Sequence, residues 1–203
     1  MRLSFASGLL IEKQGGLSVR PYMPEGVWDE TSKYGNLRNY KHDTGEGLYR
    51  RSLYTVWKRT AAPPSMLLFD APNRETCTIK RSRTNTPLQA LSLLNEITFV
   101  EAAKHLGHRM LQEGTDDRTR IRAGFRRVVG RDPSDRECEV LIKGLANDKL
   151  HFRQHPEEAK QLLQLGTKKF ESTSQSEEAL AEAASYALLA NVLLNLDEFI
   201  TRE

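Results

Sequence analysis

The sequence predicts a mainly α-helical protein, an irregular helical bundle preceded by a long loop-rich N-terminal segment. Three observations predict it. From Thr86 onward, apolar residues recur at helical spacing between clear cap and stop signals. Residues 15–47 are instead rich in Gly, Pro, Asn and Tyr, which punctuate rather than propagate regular structure. The hydrophobic fraction is 38% and the mean hydropathy −0.57, and no apolar run nears the roughly 20 residues that span a bilayer. At 203 residues the chain reads as a single domain over 1–203, divided into an irregular segment 1–86 and a helical segment 87–203.

In chain order, Leu3, Phe5, Ala6, Leu9 and Leu10 make residues 1–12 the end of a helix, with Gly15-Gly16 as its stop. Pro21, Pro24 and Gly26 then break the chain, a short helical turn fits Val27–Ser32, and Gly45 and Gly47 close the stretch. Irregular stretches of this length are functional or rest on other structure. Residues 49–59 read equally as strand, from Leu53 to Trp57, or as helix. Pro63-Pro64 ends either element, and Asp70-Ala71-Pro72-Asn73 reads as a turn.

The helical half begins at a well-formed cap. Thr86 is the N-cap, Pro87 occupies the first helical position, and Gln89 completes a capping box. Leu88, Leu91 and Leu93 or Leu94 form the expected inward stripe of helix 87–95. Residues 97–112 form a second helix, with Phe99, Val100, Ala103, Leu106, Met110 and Leu111 inward and Gly114 as its end. In a third, 117–129, Ile121, Phe125, Val128 and Val129 face inward and Gly130 is the stop. Ser134 and Glu137 cap a fourth, with Cys138, Leu141, Ile142 and Leu145 inside. A break at His155-Pro156 precedes a helix ending at Gly166. Residues 167–175 form a polar linker, and Ser174 with Glu177 caps a last long helix through Leu194.

The net charge of +3 conceals an asymmetry. Between Leu48 and Arg83, eight basic residues against two acidic ones leave +6; between Glu171 and Glu203, one basic against seven acidic leave −6. This mixed distribution argues against a nucleic-acid binder, which is basic throughout its footprint. The basic run Lys80, Arg81 and Arg83 stands before a helix N-terminus, where free amides and the dipole favour anions. It reads either as a solvated loop leading into a core helix or as a pocket for a phosphate, sulfate or carboxylate. Tyr49, Tyr54 and Trp57 interleave with Arg50, Arg51, Lys58 and Arg59. That pattern suits stacking on sugars or bases, and equally an aromatic core patch with snorkelling basic stems.

His105 and His108, and His151 and His155, have spacings that place two imidazoles on one helical face, but neither pair brings a third ligand, and no metal is assigned. Cys77 and Cys138 form no C-x-x-C; Cys138 falls on an apolar face as a buried thiol. No G-x-S-x-G, P-loop or dinucleotide fingerprint is present, so no cofactor is assigned. The opening residues do not have the form of a signal peptide.

Several blocks carry a family likeness: Arg50-Arg51-Ser52-Leu53-Tyr54-Thr55 with Trp57-Lys58-Arg59-Thr60; Pro63-Pro64-Ser65-Met66; Phe69-Asp70-Ala71-Pro72-Asn73-Arg74; and Arg83-Thr84-Asn85-Thr86-Pro87-Leu88-Gln89-Ala90-Leu91. With Gly15-Gly16, Ser18-Val19-Arg20-Pro21-Tyr22 and the closing Leu193-Leu194-Asn195-Leu196-Asp197-Glu198-Phe199, they resemble the C-terminal domain of the large planctomycete PSD proteins, domain of unknown function 1553. Leu17 and Met23 stand where the family pattern has proline and glutamine. The resemblance implies a truncated member, the final third of a longer domain, with Met1 internal to it. It also implies export to the periplasm or cell surface, and upstream partner domains that in relatives include a c-type haem module. The C-x-x-C-H of that module is absent from this sequence.

Three functional readings follow. The first is a non-catalytic or accessory module of an exported multi-domain protein, associated with polysaccharide handling or electron transfer and partnered by upstream domains of the same or a split protein. The second is an enzyme fragment with an anion-binding site at Arg50, Arg51, Lys58, Arg74, Arg81 and Arg83, with Asp70 nearby and an anionic glycan as its candidate ligand. Nucleic-acid binding ranks last. Convergence of these side chains in one concavity favours the second reading; dispersed, individually engaged side chains favour the first.

Overall fold

A computed structural model describes residues 2–24, 26–28, 40–58, 61–72, 77–80, 82, 84–168 and 176–201. Among them are nine α-helices, two short 3-10 turns and no strand, so the fold is mainly α. Two compact units divide the chain: Leu10–Gln89, and Arg2–Leu9 with Ala90–Glu203.

The unit Leu10–Gln89 has little regular structure. Its 3-10 turns span Gly45–Tyr49 and Ser52–Tyr54. Isolated parallel bridges join Ile11 to Arg50 and Val19 to Thr55. Residues 49–58 are therefore neither of the two alternatives the sequence offers, and single bridges and a tight turn replace them; Arg59 lies outside the described residues. Gly26–Trp28 form a turn, and the rest of the expected helical turn at Val27–Ser32 lies outside the described residues. Among the described residues of this unit one α-helix lies wholly within it, and the sequence does not predict it. Pro63-Pro64, which the sequence marks as the end of the preceding segment, also opens a helix, α2 (Pro64–Leu68). Proline lacks only an N–H that a first-turn residue would leave unbonded anyway.

The second unit is the bundle. It contains α1 (Arg2–Ser7), α4 (Ile97–Gln112), α5 (Asp117–Val129), α6 (Asp135–Gln154), α7 (Pro156–Gln164), α8 (Glu177–Leu194) and α9 (Asp197–Ile200). Helix α3 (Pro87–Asn95) runs across the boundary between the units. Helix α1 ends at Gly8, whose φ of +77 stops it well before Gly15.

Helix α8 is the axis of the bundle. It packs against α4, α5, α6 and α7 and buries residues on every side, from Ala181 to Leu194. Ala103, Leu106, Met110, Ile121, Phe125, Cys138, Leu145, Tyr186, Leu189 and Leu193 form one main core. A smaller cluster of Phe152, Ala159, Ala181 and Ala184 sits beneath α7. At the α4–α8 crossing Gly107 is essential for close approach, because a Cβ there would lie 2.6 Å from the Tyr186 carbonyl oxygen.

Caps set the helix boundaries. Asp116 accepts from the Thr119 amide, and Gly130, at φ +86, ends α5. The Ser134–Glu137 capping box opens α6 as expected. The cap of α8 is Ser176, which accepts from the Ala179 amide; the expected cap, Ser174, lies outside the described residues. Of the expected inward stripe of α3, Leu93 is buried, but Leu88 and Leu91 are 61% and 57% exposed, and Gln89 is buried in their place. The reason lies in the bonds Gln89 makes.

Candidate functional site

Helix α2 ends in a tight reversal. Asp70 has φ +56, the one left-handed residue other than glycine among those described. Its amide bonds to the Leu67 carbonyl, and the next amide, Ala71, bonds to Met66 at 2.8 Å. This bond pair usually recruits glycine at the Asp70 position. Aspartate tolerates the conformation better than most residues. Here its side chain is engaged as well: Oδ2 accepts from the Thr84 amide at 2.9 Å and from the Thr84 hydroxyl at 2.8 Å.

The reversal satisfies two of the last carbonyls of α2. Another, that of Leu68, accepts from the Gln89 side-chain amide at 2.7 Å. The same Nε2 donates to the Thr84 hydroxyl oxygen at 2.9 Å, and Gln89 Oε1 accepts from the Thr86 amide at 3.0 Å. The Thr86 hydroxyl in turn accepts from the Gln89 amide, closing the expected capping box. Gln89 is only 1% exposed. A buried polar side chain is stable only when its donors and acceptors are engaged, and the Gln89 side chain uses both ends. This is why α3 turns Gln89 inward and Leu88 outward. The blocks Phe69–Pro72 and Thr84–Gln89 thus form one polar fastener within their unit.

The basic residues are used separately. Arg50 donates from its guanidinium to the carbonyls of Lys13, Gly15 and Leu17, at 2.9, 2.5 and 3.2 Å. It also lies 3.9 Å above the ring of Tyr54, whose hydroxyl accepts from the Gly15 amide. Lys58 donates to the Trp28 carbonyl and sits 5.0 Å above the indole ring. Tyr40 meets that ring edge-on at 5.2 Å and donates to the Pro21 carbonyl at 2.6 Å. Burial, aided by the Asp43 carboxylate, raises the Tyr40 phenol to about 12. Arg51 is exposed. Arg74, Arg81 and Arg83 lie outside the described residues.

Residues 2–145 match the family PSD1, described as protein of unknown function (DUF1553). The chain belongs to this family. No match was found among the curated proteins or the solved structures. The matched residues of this PSD1 chain include the whole fastener and end within α6.

The helical unit of this PSD1 chain carries polar clusters that the sequence reading did not single out. Asp117 on α5 accepts from Tyr186 on α8 at 2.8 Å and from Lys149 on α6 at 2.8 and 2.9 Å. Arg120 pairs with Glu182 beside them at 2.8 Å. Burial works against ionised Asp117, but the bonds from Lys149 and Tyr186 outweigh it and hold its carboxyl below the usual range. Burial and the bond to Asp117 drive the Tyr186 phenol well above its ordinary value. Two cations and two carboxylates balance, so the cluster cross-braces three helices. Its only sequence cue is a tyrosine within an alanine-rich helix.

On α4, Glu101 and Lys104 are buried among apolar neighbours. Lys104 donates to the carbonyls of Leu163 and Leu165, and Glu101 accepts from the Lys168 amide at 2.9 Å. Arg131 joins Glu137 and Glu198 on the surface. Of the histidines, His151 meets Glu158 at 2.8 Å and stacks on His155 at 4.7 Å, and both are exposed. His105 is instead half-buried. Burial, with Lys104 and Lys168 nearby, lowers its imidazole to about 4. Among the described residues no three His, Cys, Asp or Glu side chains are grouped to hold a metal ion. Cys138 is buried, Cys77 is exposed, and both are free thiols. No helix among the described residues is long and apolar enough to cross a membrane.

Proposed function

We propose that this chain is an accessory, non-catalytic module: the C-terminal part of a larger, exported, planctomycete-type PSD protein, partnered by the domains upstream of it. Its contribution is to a protein that handles polysaccharide or transfers electrons, with the chemistry performed by other parts. One observation carries this reading. The polar residues of the most distinctive sequence blocks serve their own unit: Asp70, Thr84, Thr86 and Gln89 bond one another and nearby main chain, and Arg50 is given to three carbonyls. An acid–base site needs polar groups directed at a substrate position. Side chains committed to closing helix ends and loops serve architecture.

The competing reading places an anion at Arg50, Arg51, Lys58, Arg74, Arg81 and Arg83. Thermal melts with inorganic sulfate and with a sulfated glycan, at matched ionic strength, separate the two. The accessory reading predicts no saturable rise in Tm. A saturable rise that Arg81→Ala and Arg83→Ala abolish establishes the anion site instead, because binding to the folded state must raise its stability.

A further inference from the structure

We propose that α7 and the turn behind it form a latched flap: Lys104 and Glu101 of α4 hold it shut, and it opens as one piece while the main core stays folded. Three observations carry this. First, α7 has its own small core. The cluster of Phe152, Ala159, Ala181 and Ala184 is separate from the main core, and Ala159 is the only α7 residue fully buried. Leu162 and Leu163 pack against the cluster but are only partly buried, so the apolar seat of α7 is small beside the main core and polar contacts add to what holds it down.

Second, those polar contacts converge on the C-terminal end of α7. Lys104, 2% exposed, places its ammonium on the Leu163 and Leu165 carbonyls, where a helix leaves acceptors unbonded and its dipole is negative. Glu101 accepts from the Lys168 amide and holds the chain that follows. The turn between them needs Gly166, which has φ +84 and whose added Cβ would collide with the Glu101 carboxylate. Burial lowers the Lys104 pKa and Glu101 opposes the shift, as expected of a charge kept from water by its partners.

Third, the other end is hinged. His155 is non-helical, at φ −127 and ψ 65, between the last residue of α6 and Pro156 at the start of α7. The ion pair there, His151–Glu158, is exposed, of a kind that adds little. Rotation at His155 would lift α7 from α8 and leave α4, α5 and the rest of α8 packed. Such sub-global units open with free energies below that of global unfolding.

Native-state hydrogen exchange of the full chain under increasing urea tests the proposal. Amides of α7 and residues 165–168 should share one opening that is easier and less urea-dependent than that of α5. Lys104→Met and Gly166→Ala should each speed exchange in that same set by about tenfold or more, the scale of a lost bond to a charged group, and leave α5 unchanged. Exchange of α7 with the free energy and urea dependence of α5 in the wild-type chain overturns the flap. So does a variant that affects α5 and α7 equally, or one that leaves α7 unchanged.

Discussion

The side-chain amide of Gln89 donates to the main-chain carbonyl of Leu68, 21 residues earlier in the chain, at 2.7 Å. This bond joins the first turn of α3 to the last turn of α2. It satisfies a helix-end acceptor with a buried side chain that also completes the cap of its own helix. Replacing Gln89 by alanine should therefore destabilise the protein by about 2–3 kcal/mol, since the three bonds of its side chain are lost, among them the reciprocal half of the capping box, and the Leu68 carbonyl is left without its donor. Urea melts read this as a lower midpoint with an unchanged slope. A change under about 0.5 kcal/mol, the range of ordinary surface substitutions, would show that water replaces the glutamine without cost.

Thr86→Ala removes only the hydroxyl that accepts from the Gln89 amide. The expected loss is about 1 kcal/mol, the usual magnitude for a threonine N-cap. The order of the two variants in urea melts is the sharper check, with Gln89→Ala the more damaging.

Gly107→Ala should cost about 3 kcal/mol, because the new methyl meets the backbone of Tyr186 and Ala187 rather than a side chain that can swing aside. Gly144→Ala is its control. A Cβ at Gly144 meets nothing within 4 Å, and alanine is the better helix former by up to about 1 kcal/mol. Thermal melts should move in opposite directions for the two.

Acid should weaken the protein in two windows. His105 has a folded value of about 4 against an ordinary 6.5. Between these values the unfolded chain binds a proton that the folded chain refuses, so stability is full above pH 6.5 and is lost as pH falls toward 4. Glu137 is held at about 2 by the Arg131 guanidinium and by Ser134, against an ordinary 4.5, so its contribution is lost between 4.5 and 2. Urea midpoints measured across pH should show both declines. His105→Gln should flatten the upper one alone.

Much of the bundle was legible in the sequence because its helices announce themselves. Ser134 and Gly130 are local signals, and Ile121, Phe125, Cys138 and Leu145 repeat at helical spacing. Helix α2 was missed because Pro63-Pro64 signals both an end and a beginning, and only the carbonyl partners downstream decide between them. The first turn of α3 differs from its periodicity, which counts Leu88 as inward, because three engaged hydrogen bonds make Gln89 the buried residue. Position in sequence also hid the use of Arg50: its acceptors at Lys13, Gly15 and Leu17 lie 33 to 37 residues away. A charge run shows that cations cluster along the chain, and says nothing of which carbonyls each will meet.

The central claim, that the distinctive sequence blocks hold each other, is tested most directly by a double-mutant cycle between Asp70 and Thr84. Asp70→Gly keeps the left-handed turn and removes the carboxylate; Thr84→Val removes the hydroxyl that donates to it. Measured in urea melts, the pair should show a coupling of about 1.5 kcal/mol, the lower end for one hydrogen bond to a charged acceptor. Single effects that add to within about 0.3 kcal/mol would contradict it, and would leave Asp70 and Thr84 available to a substrate instead.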